Sequence, residues 1–108
     1  MRDFKKGEIV LVKFPFTDLS DSKLRPALVL YDSGSDVIVA FISSVMRERG
    51  ENEVKVLKSE VNGLKVDSII RVDKIATLSK GLIAGKIGEL EDKYMVEVNR
   101  KIKNMFGL

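Results

Sequence analysis

The chain has 108 residues, of which 44% are hydrophobic and 32% charged, and its formal net charge is +3. This balance is typical of a single globular domain spanning residues 1–108, and the small positive excess permits a nucleic-acid partner without demanding one. The sequence contains no histidine and no cysteine, which excludes disulfides, histidine-based catalytic triads and the usual zinc sites, so we expect no metal and no cofactor. No apolar run approaches the roughly 20 residues needed to cross a membrane. The N-terminus has no apolar signal segment either, so we expect a cytoplasmic protein.

Most of the chain up to residue 89 has the composition of β-strands. Runs of β-branched and aliphatic residues, separated by turn residues, predict six strands: Ile9–Phe14, Ala27–Tyr31, Val37–Ser43, Glu53–Leu57, Lys65–Ile75 and Leu82–Ile87. We expect the fifth strand to bend near Asp73. Between the strands, the pattern predicts turns at Asp32–Asp36 and Thr77–Gly81, an exposed loop at Met46–Asn52, and one helical turn at Ser59–Gly63 with its serine as N-cap.

The end of the chain changes from strand to helix periodicity. Leu90, Tyr94, Val98 and Ile102 recur at helical spacing, which predicts an amphipathic helix that ends at Gly107. Such a helix must pack its apolar stripe against the sheet to be stable. The predicted fold is therefore mainly β (α+β), a small antiparallel β-barrel or strongly bent sheet closed by a C-terminal helix.

The loop Pro15–Arg25 is the first candidate for a functional site. It is polar and longer than the two to five residues usual in a hairpin, and long loops held by stiff strands often carry binding or catalysis. Arg25 ends it directly before Pro26, which favours an extended backbone. A guanidinium there is suited to binding phosphate, because its planar fork matches two phosphate oxygens and stays charged. The alternative is a surface arginine paired with one of the neighbouring aspartates.

The residues from Lys6 to Leu30, KGEIVLVKFPFTDLSDSKLRPALVL, resemble the opening of the MazF/PemK family of toxins from bacterial toxin–antitoxin systems. Later pieces agree in the same order: Ile42-Ser43 at a strand end, then DSIIRVDKIATL, a further strand and a terminal helix. The resemblance implies an SH3-like barrel that acts as a homodimer. It also implies sequence-specific cleavage of single-stranded RNA without a metal, and inhibition by a cognate antitoxin.

The resemblance also implies two catalytic residues, Arg25 and Ser43. Arg25 belongs to the R-P motif, and a pKa above about 12 makes an electrostatic role easier to defend than a role as base. Ser43 falls where the family carries a catalytic threonine or serine. Ser44 is its rival, because adjacent side chains on a strand point to opposite faces.

Further RNA contacts are predicted at Phe16, Thr17, Ser20, Lys23, Ser44 and Lys74. Each of these could equally be a solvated loop residue, and the phenylalanine could equally be a core residue. The chain departs from the family at Lys74, where several members have glutamine, and at Ala76, where some have arginine. Both departures bear on cleavage specificity.

Two other functions remain open at this point. One is a gyrase-poisoning toxin of the CcdB type, although those proteins depend on a C-terminal Trp-Gly-Ile and this chain ends Met105-Phe106-Gly107-Leu108. The other is a non-catalytic SH3-like module that binds RNA or protein.

Overall fold

The computed structural model describes residues 2–14, 23–45 and 50–108. Within these ranges six strands form one sheet in the order β4-β5-β3-β2-β1-β6, and each neighbouring pair is antiparallel. The elements are β1 Glu8–Phe14, β2 Lys23–Asp32, β3 Asp36–Ser43, β4 Glu53–Val56, β5 Ser68–Ser79, a 3₁₀ turn Lys80–Leu82, β6 Ile83–Glu89 and α1 Asp92–Phe106.

Both faces of the sheet are buried, which explains the nearly continuous apolar runs in the central strands. One face packs Ile9, Leu28 and Ile42 against the terminal helix, and the opposite face buries Val10 and Val29. Successive side chains on a strand point to opposite faces, so a run such as residues 37–42 supplies both layers at once.

The sheet is strongly bent and does not close into a barrel. β4 and β6 lie at its two edges, and the described residues show no hydrogen-bonded pairing between them. The register between β3 and β5 shifts between Ala40, which pairs with Ile75, and Phe41, which pairs with Arg71. The three extra residues 72–74 bulge there, because extra residues in one strand cannot pair and bend the strand. The predicted bend near Asp73 is confirmed, and the bent-sheet form of the predicted fold describes the molecule better than a barrel.

The C-terminal helix is confirmed. Val98 is fully buried, and Tyr94 and Ile102 pack against the same cluster. Gly107 adopts the left-handed conformation at φ 69°, and its N–H donates to the Lys103 carbonyl, as expected for a glycine that ends a helix. Among the described residues, no helix combines the length and apolar character needed to cross a membrane.

Several predicted boundaries are wrong because cross-strand pairing decides them. The turn expected at Thr77–Gly81 is instead the end of β5, where Thr77 pairs with Ile38, and only Lys80–Leu82 turns. β5 begins at Ser68 rather than Lys65. β2 begins at Lys23, so the last residues of the predicted loop belong to a strand, while residues 15–22 lie outside the described ranges.

The two other predicted connections between strands have different outcomes. The expected helical turn after β4 is confirmed, since the Asn62 N–H donates to Ser59 Oγ and the Gly63 N–H to the Ser59 carbonyl. Of the expected loop Met46–Asn52, residues 46–49 lie outside the described ranges, and residues 51–52 form a turn.

Candidate functional site

Arg25 is the third residue of β2 and is exposed. It pairs with Val12 of β1, and the following Pro26 pairs with Leu11. The extended backbone expected of a residue before proline is thus part of a regular strand. The strand fixes the direction of the guanidinium, which a mobile loop would not do.

Ser43 is the last residue of β3, the strand next to β2. The pairing of these strands runs Val29 with Val39 and Ala27 with Phe41. The same register continued by two residues brings Arg25 opposite Ser43. Strand alternation also assigns both side chains to one face of the sheet. The Ser43 Oγ accepts the Val45 N–H at 3.1 Å, so its own proton can be donated elsewhere.

A cavity of about 400 Å³ opens at this end of the sheet. Its described lining includes the basic residues Lys23, Arg25 and Lys65 and the serines Ser44 and Ser68, but no acidic residue. Its size is within the range of ligand sites, and a cluster of one sign of charge attracts ligands of the other. The lining therefore favours an anionic ligand.

The rest of the described lining is apolar or glycine. Ile42 and Ile87 belong to β3 and β6, while Leu24 and Val66 are 46% and 51% exposed. The cavity therefore places exposed aliphatic groups next to basic residues.

The predicted site residues separate into three groups. Lys23, Arg25 and Ser44 line the cavity, and Ser43 lies beside it at the register position opposite Arg25. Lys74 is exposed in the bulge of β5 and does not line the cavity. Phe16, Thr17 and Ser20 lie outside the described residues.

Lys65 and Ser68 were not found by sequence reasoning, although both line the cavity. Lys65 lies in the connection between β4 and β5, and Ser68 is the first residue of β5. The described ranges contain no group of three or more Asp or Glu side chains that could hold a metal ion.

A second cavity, of about 600 Å³, lies elsewhere and is lined by Arg2, Phe4 and Lys80 among others. Its buried cation is already neutralised, since Lys80 Nζ lies 2.9 Å from Asp32 and 3.6 Å from Asp3. The Phe4 N–H and then Lys80 hold the pKa of Asp32 well below its ordinary value, at about 2. These contacts connect the N-terminal segment to β2, so this region stabilises the fold.

An open antiparallel sheet packed against one C-terminal helix, with basic residues lining a cavity at a strand end, defines a small, mainly β protein. The model of the PemK-like, MazF-like toxins of type II toxin–antitoxin systems matches residues 5–106. The chain therefore belongs to this toxin family.

Individual relatives agree with this assignment. The chain is 31% identical over 111 residues to an Endoribonuclease MazF of Staphylococcus saprophyticus, with 96% of this chain and 92% of that protein aligned. Among solved structures, the Mycobacterium tuberculosis toxin MazF-mt6 is 26% identical with a TM-score of 0.74, covering 94% of this chain and 97% of that one. The MazE–MazF structure of Deinococcus radiodurans, at 18% identity and a TM-score of 0.77, covers 100% and 99% and is similar in fold.

Proposed function

We propose that this chain is a sequence-specific endoribonuclease toxin that cleaves single-stranded RNA without a metal. It acts in the cytoplasm as a homodimer of one domain, residues 1–108, and is neutralised by a cognate antitoxin. The observation that carries the proposal is the cationic, carboxylate-free lining of the cavity beside Arg25. Membership of a toxin–antitoxin family supports the antitoxin, and the relative named an endoribonuclease supports the reaction.

RNA supplies its own nucleophile for this reaction. The 2′-oxygen next to the scissile phosphate attacks phosphorus and loses its proton, while the bond from phosphorus to the 5′-oxygen breaks and that oxygen gains a proton. The products are a 2′,3′-cyclic phosphate and a 5′-OH end. The protein therefore has to align the 2′-oxygen and stabilise the charge on the phosphorane, and neither task requires histidine or a metal.

Arg25 is suited to the electrostatic part of this task. Its guanidinium can donate two parallel hydrogen bonds to the non-bridging phosphate oxygens, and these bonds strengthen as negative charge develops. A donor of this kind lowers the activation barrier and thereby raises the rate roughly 10²- to 10³-fold.

Ser43 is the proposed second donor to the phosphate. Its proton remains available because the Oγ accepts the Val45 N–H, which also fixes the position of the oxygen. Ser44, the residue after β3, is the alternative, since it lines the cavity and adjacent side chains point to opposite faces. Lys23 and Lys74, with Phe16, Thr17 and Ser20, are proposed as RNA contacts outside the reacting phosphate.

Cleavage of a mixed single-stranded RNA by the purified chain, free of antitoxin and in the presence of EDTA, tests the proposal. Sequencing of the 5′ ends gives the cleavage motif, and a 2′-deoxy substitution at the cleaved position should abolish the cut. The matched control is Arg25→Ala, which should remain folded and inactive. RNA that the wild-type chain leaves intact under these conditions would contradict the endoribonuclease, and RNA binding without cleavage would favour the non-catalytic module.

A further inference from the structure

The segment that joins β4 to β5, residues 57–67, forms one wall of the cavity beside Arg25. Gly63, Leu64, Lys65 and Val66 all contribute to the lining. β2 supplies another part of the lining through its first four residues, so the cavity lies between a strand and an irregular segment. The position of a charged side chain on this segment depends on how rigidly the rest of the protein fixes the backbone of the segment.

Asn62 anchors this segment from within. Its side chain is fully buried, and its Oδ1 accepts the N–H groups of Ser59 and Leu64 at 3.1 and 3.0 Å. Its Nδ2 donates to the Leu57 carbonyl and to Glu91 Oε1, both at 3.0 Å. The amide therefore uses both donors and both acceptor positions, as a buried polar group must to avoid a large penalty.

Glu91 connects the segment to the beginning of α1. Its second oxygen accepts the Ser59 hydroxyl at 2.8 Å. Burial alone would raise the pKa of Glu91, but the hydrogen bonds from Ser59 and Asn62 outweigh it and hold that pKa below its ordinary value. The carboxylate thus stays charged at neutral pH and retains both contacts.

Two glycines allow the segment to lie directly on β6. A Cβ added to Gly63, whose φ is +73°, would be 2.0 Å from the Ile87 carbonyl oxygen, and one added to Gly88 would be 2.3 Å from the Asn62 carbonyl carbon. The Glu89 N–H donates to the Val61 carbonyl at 2.9 Å. The backbone of the segment thus packs directly on the backbone of β6. Lys65 follows Gly63 by two residues, so this contact also fixes the position of its Cα.

Lys65 itself is exposed, and none of the ion pairs found among the described residues includes it. The nearest carboxylate along the chain, Asp67, accepts the Lys58 N–H at 2.9 Å. A lysine in this position keeps its charge for a ligand in the cavity, and its fixed backbone lowers the entropy lost on binding.

We propose that Lys65 is a phosphate-binding residue for the RNA, contacting the backbone at a phosphate next to the one that Arg25 holds. The inference rests on the proposed function and extends it, because Lys65 determines how the strand lies across the cavity but takes no part in the bond-breaking step. RNA is favoured over an acidic protein segment because its backbone carries a phosphate at every nucleotide, so a second cation in the cavity can contact a neighbouring phosphate of the same strand.

Binding of an RNA with a 2′-deoxy residue at the cleavage site tests this inference, because that RNA cannot be cut. Kd is measured for wild type, Lys65→Gln and Lys103→Gln over a range of salt concentrations. Lys103 is an exposed lysine in the last turn of α1, so its variant makes the same change in net charge. Loss of one phosphate contact should make the slope of log Kd against log salt shallower by about 0.7 and weaken binding roughly three- to tenfold at low salt.

The expected result is this change in Lys65→Gln, and in Lys103→Gln the wild-type slope together with an unchanged rate of cleavage. Equal slopes for the two variants would overturn the role of Lys65 while wild-type cleavage still supported the proposed function. Weaker binding of an acidic peptide by Lys65→Gln, with RNA binding like that of Lys103→Gln, would assign the residue to protein contact and overturn the inference. A wild-type chain that neither binds nor cuts RNA would overturn both proposals.

Discussion

Strand β2 begins at one cluster of charged side chains and ends at another. At its end, Asp32 accepts the N–H groups of Phe4 and Gly34, both at 2.8 Å, and pairs with Lys80, whose side chain is only 5% exposed. At its beginning, Lys23 and Arg25 are exposed and belong to the lining of a cavity whose described residues include no carboxylate. The same strand therefore begins at exposed basic residues and ends at an ion pair with a buried lysine.

The difference shows which charges serve the fold and which serve a ligand. A buried lysine is tolerated only with a partner, because an unpaired charge in the interior is costly. Exposed basic residues usually contribute little to stability, so their substitution should change ligand binding more than folding. Substitutions at the two ends of β2 should therefore separate activity from stability.

The largest expected effect is on RNA cleavage at the beginning of the strand. Arg25→Ala should lower the single-turnover rate by at least roughly 10²-fold, because the main donor to the phosphorane is lost. Because the side chain is exposed, the melting temperature should change little. Arg25→Lys should give an intermediate rate, since a lysine keeps the charge but not the two-pronged geometry. An Arg25→Ala protein that cleaves RNA at the wild-type rate would remove Arg25 from the catalytic site.

The second effect concerns the two adjacent serines. Ser43→Ala should slow cleavage by roughly 10- to 100-fold, less than loss of Arg25, because a neutral donor stabilises the phosphorane less than a charged one. Ser44→Ala is the matched control, and its rate should stay within about twofold of wild type. The comparison is made on one RNA under single-turnover conditions, and the reverse order of rates would assign the catalytic hydroxyl to Ser44.

At the other end of the strand, Asp32→Asn should lower stability and leave the cleavage rate unchanged. Removal of the carboxylate leaves the buried Lys80 with Asp3 alone, at 3.6 Å, so we expect the melting temperature to fall by about 5 °C or more. Asp73→Asn, an exposed aspartate in the bulge of β5, is the control. Thermal melts followed by circular dichroism measure the difference at pH 7.

The same variant has a defined pH dependence. The pKa of Asp32 is about 2 in the folded chain against an ordinary 3.8, so its contribution to stability is present above about pH 4 and is lost as pH falls toward 2. The difference in melting temperature between wild type and Asp32→Asn should therefore shrink over that interval. A difference that stays constant from pH 7 to pH 2 would show that the Asp32 charge does not stabilise the fold.

The strands were predictable wherever a run of apolar residues was long enough to fill both faces of the sheet, as in β3. Prediction failed at Thr77 and Ser79, which the sequence pattern assigns to a turn together with Gly81, because pairing with β3 continues the strand through both residues. It also failed at Lys23, where pairing with Phe14 extends β2 into the predicted loop.

The candidate site was predictable only in part, for a related reason. Arg25 carries a local signal, the R-P dipeptide before an apolar run, and Ser43 carries one through the family resemblance. Lys65 carries none, because its place at the cavity depends on the packing of Gly63 against Ile87 and of Gly88 against Asn62, positions far apart along the chain. A long-range contact of this kind leaves no periodicity or spacing in a single sequence.

The smallest expected effect tests whether the cations of the cavity act independently. Lys23→Gln should weaken binding of uncleavable RNA by roughly threefold, make the salt slope shallower by about 0.7, and leave kcat unchanged. If Lys23 and Lys65 contact different phosphates, the double substitution should change the slope by about 1.4, because effects at separate sites add. Isothermal titration over four salt concentrations would measure both values. A double variant with the slope of either single variant would indicate that the two lysines share one phosphate, and the RNA would then follow a shorter path across the cavity.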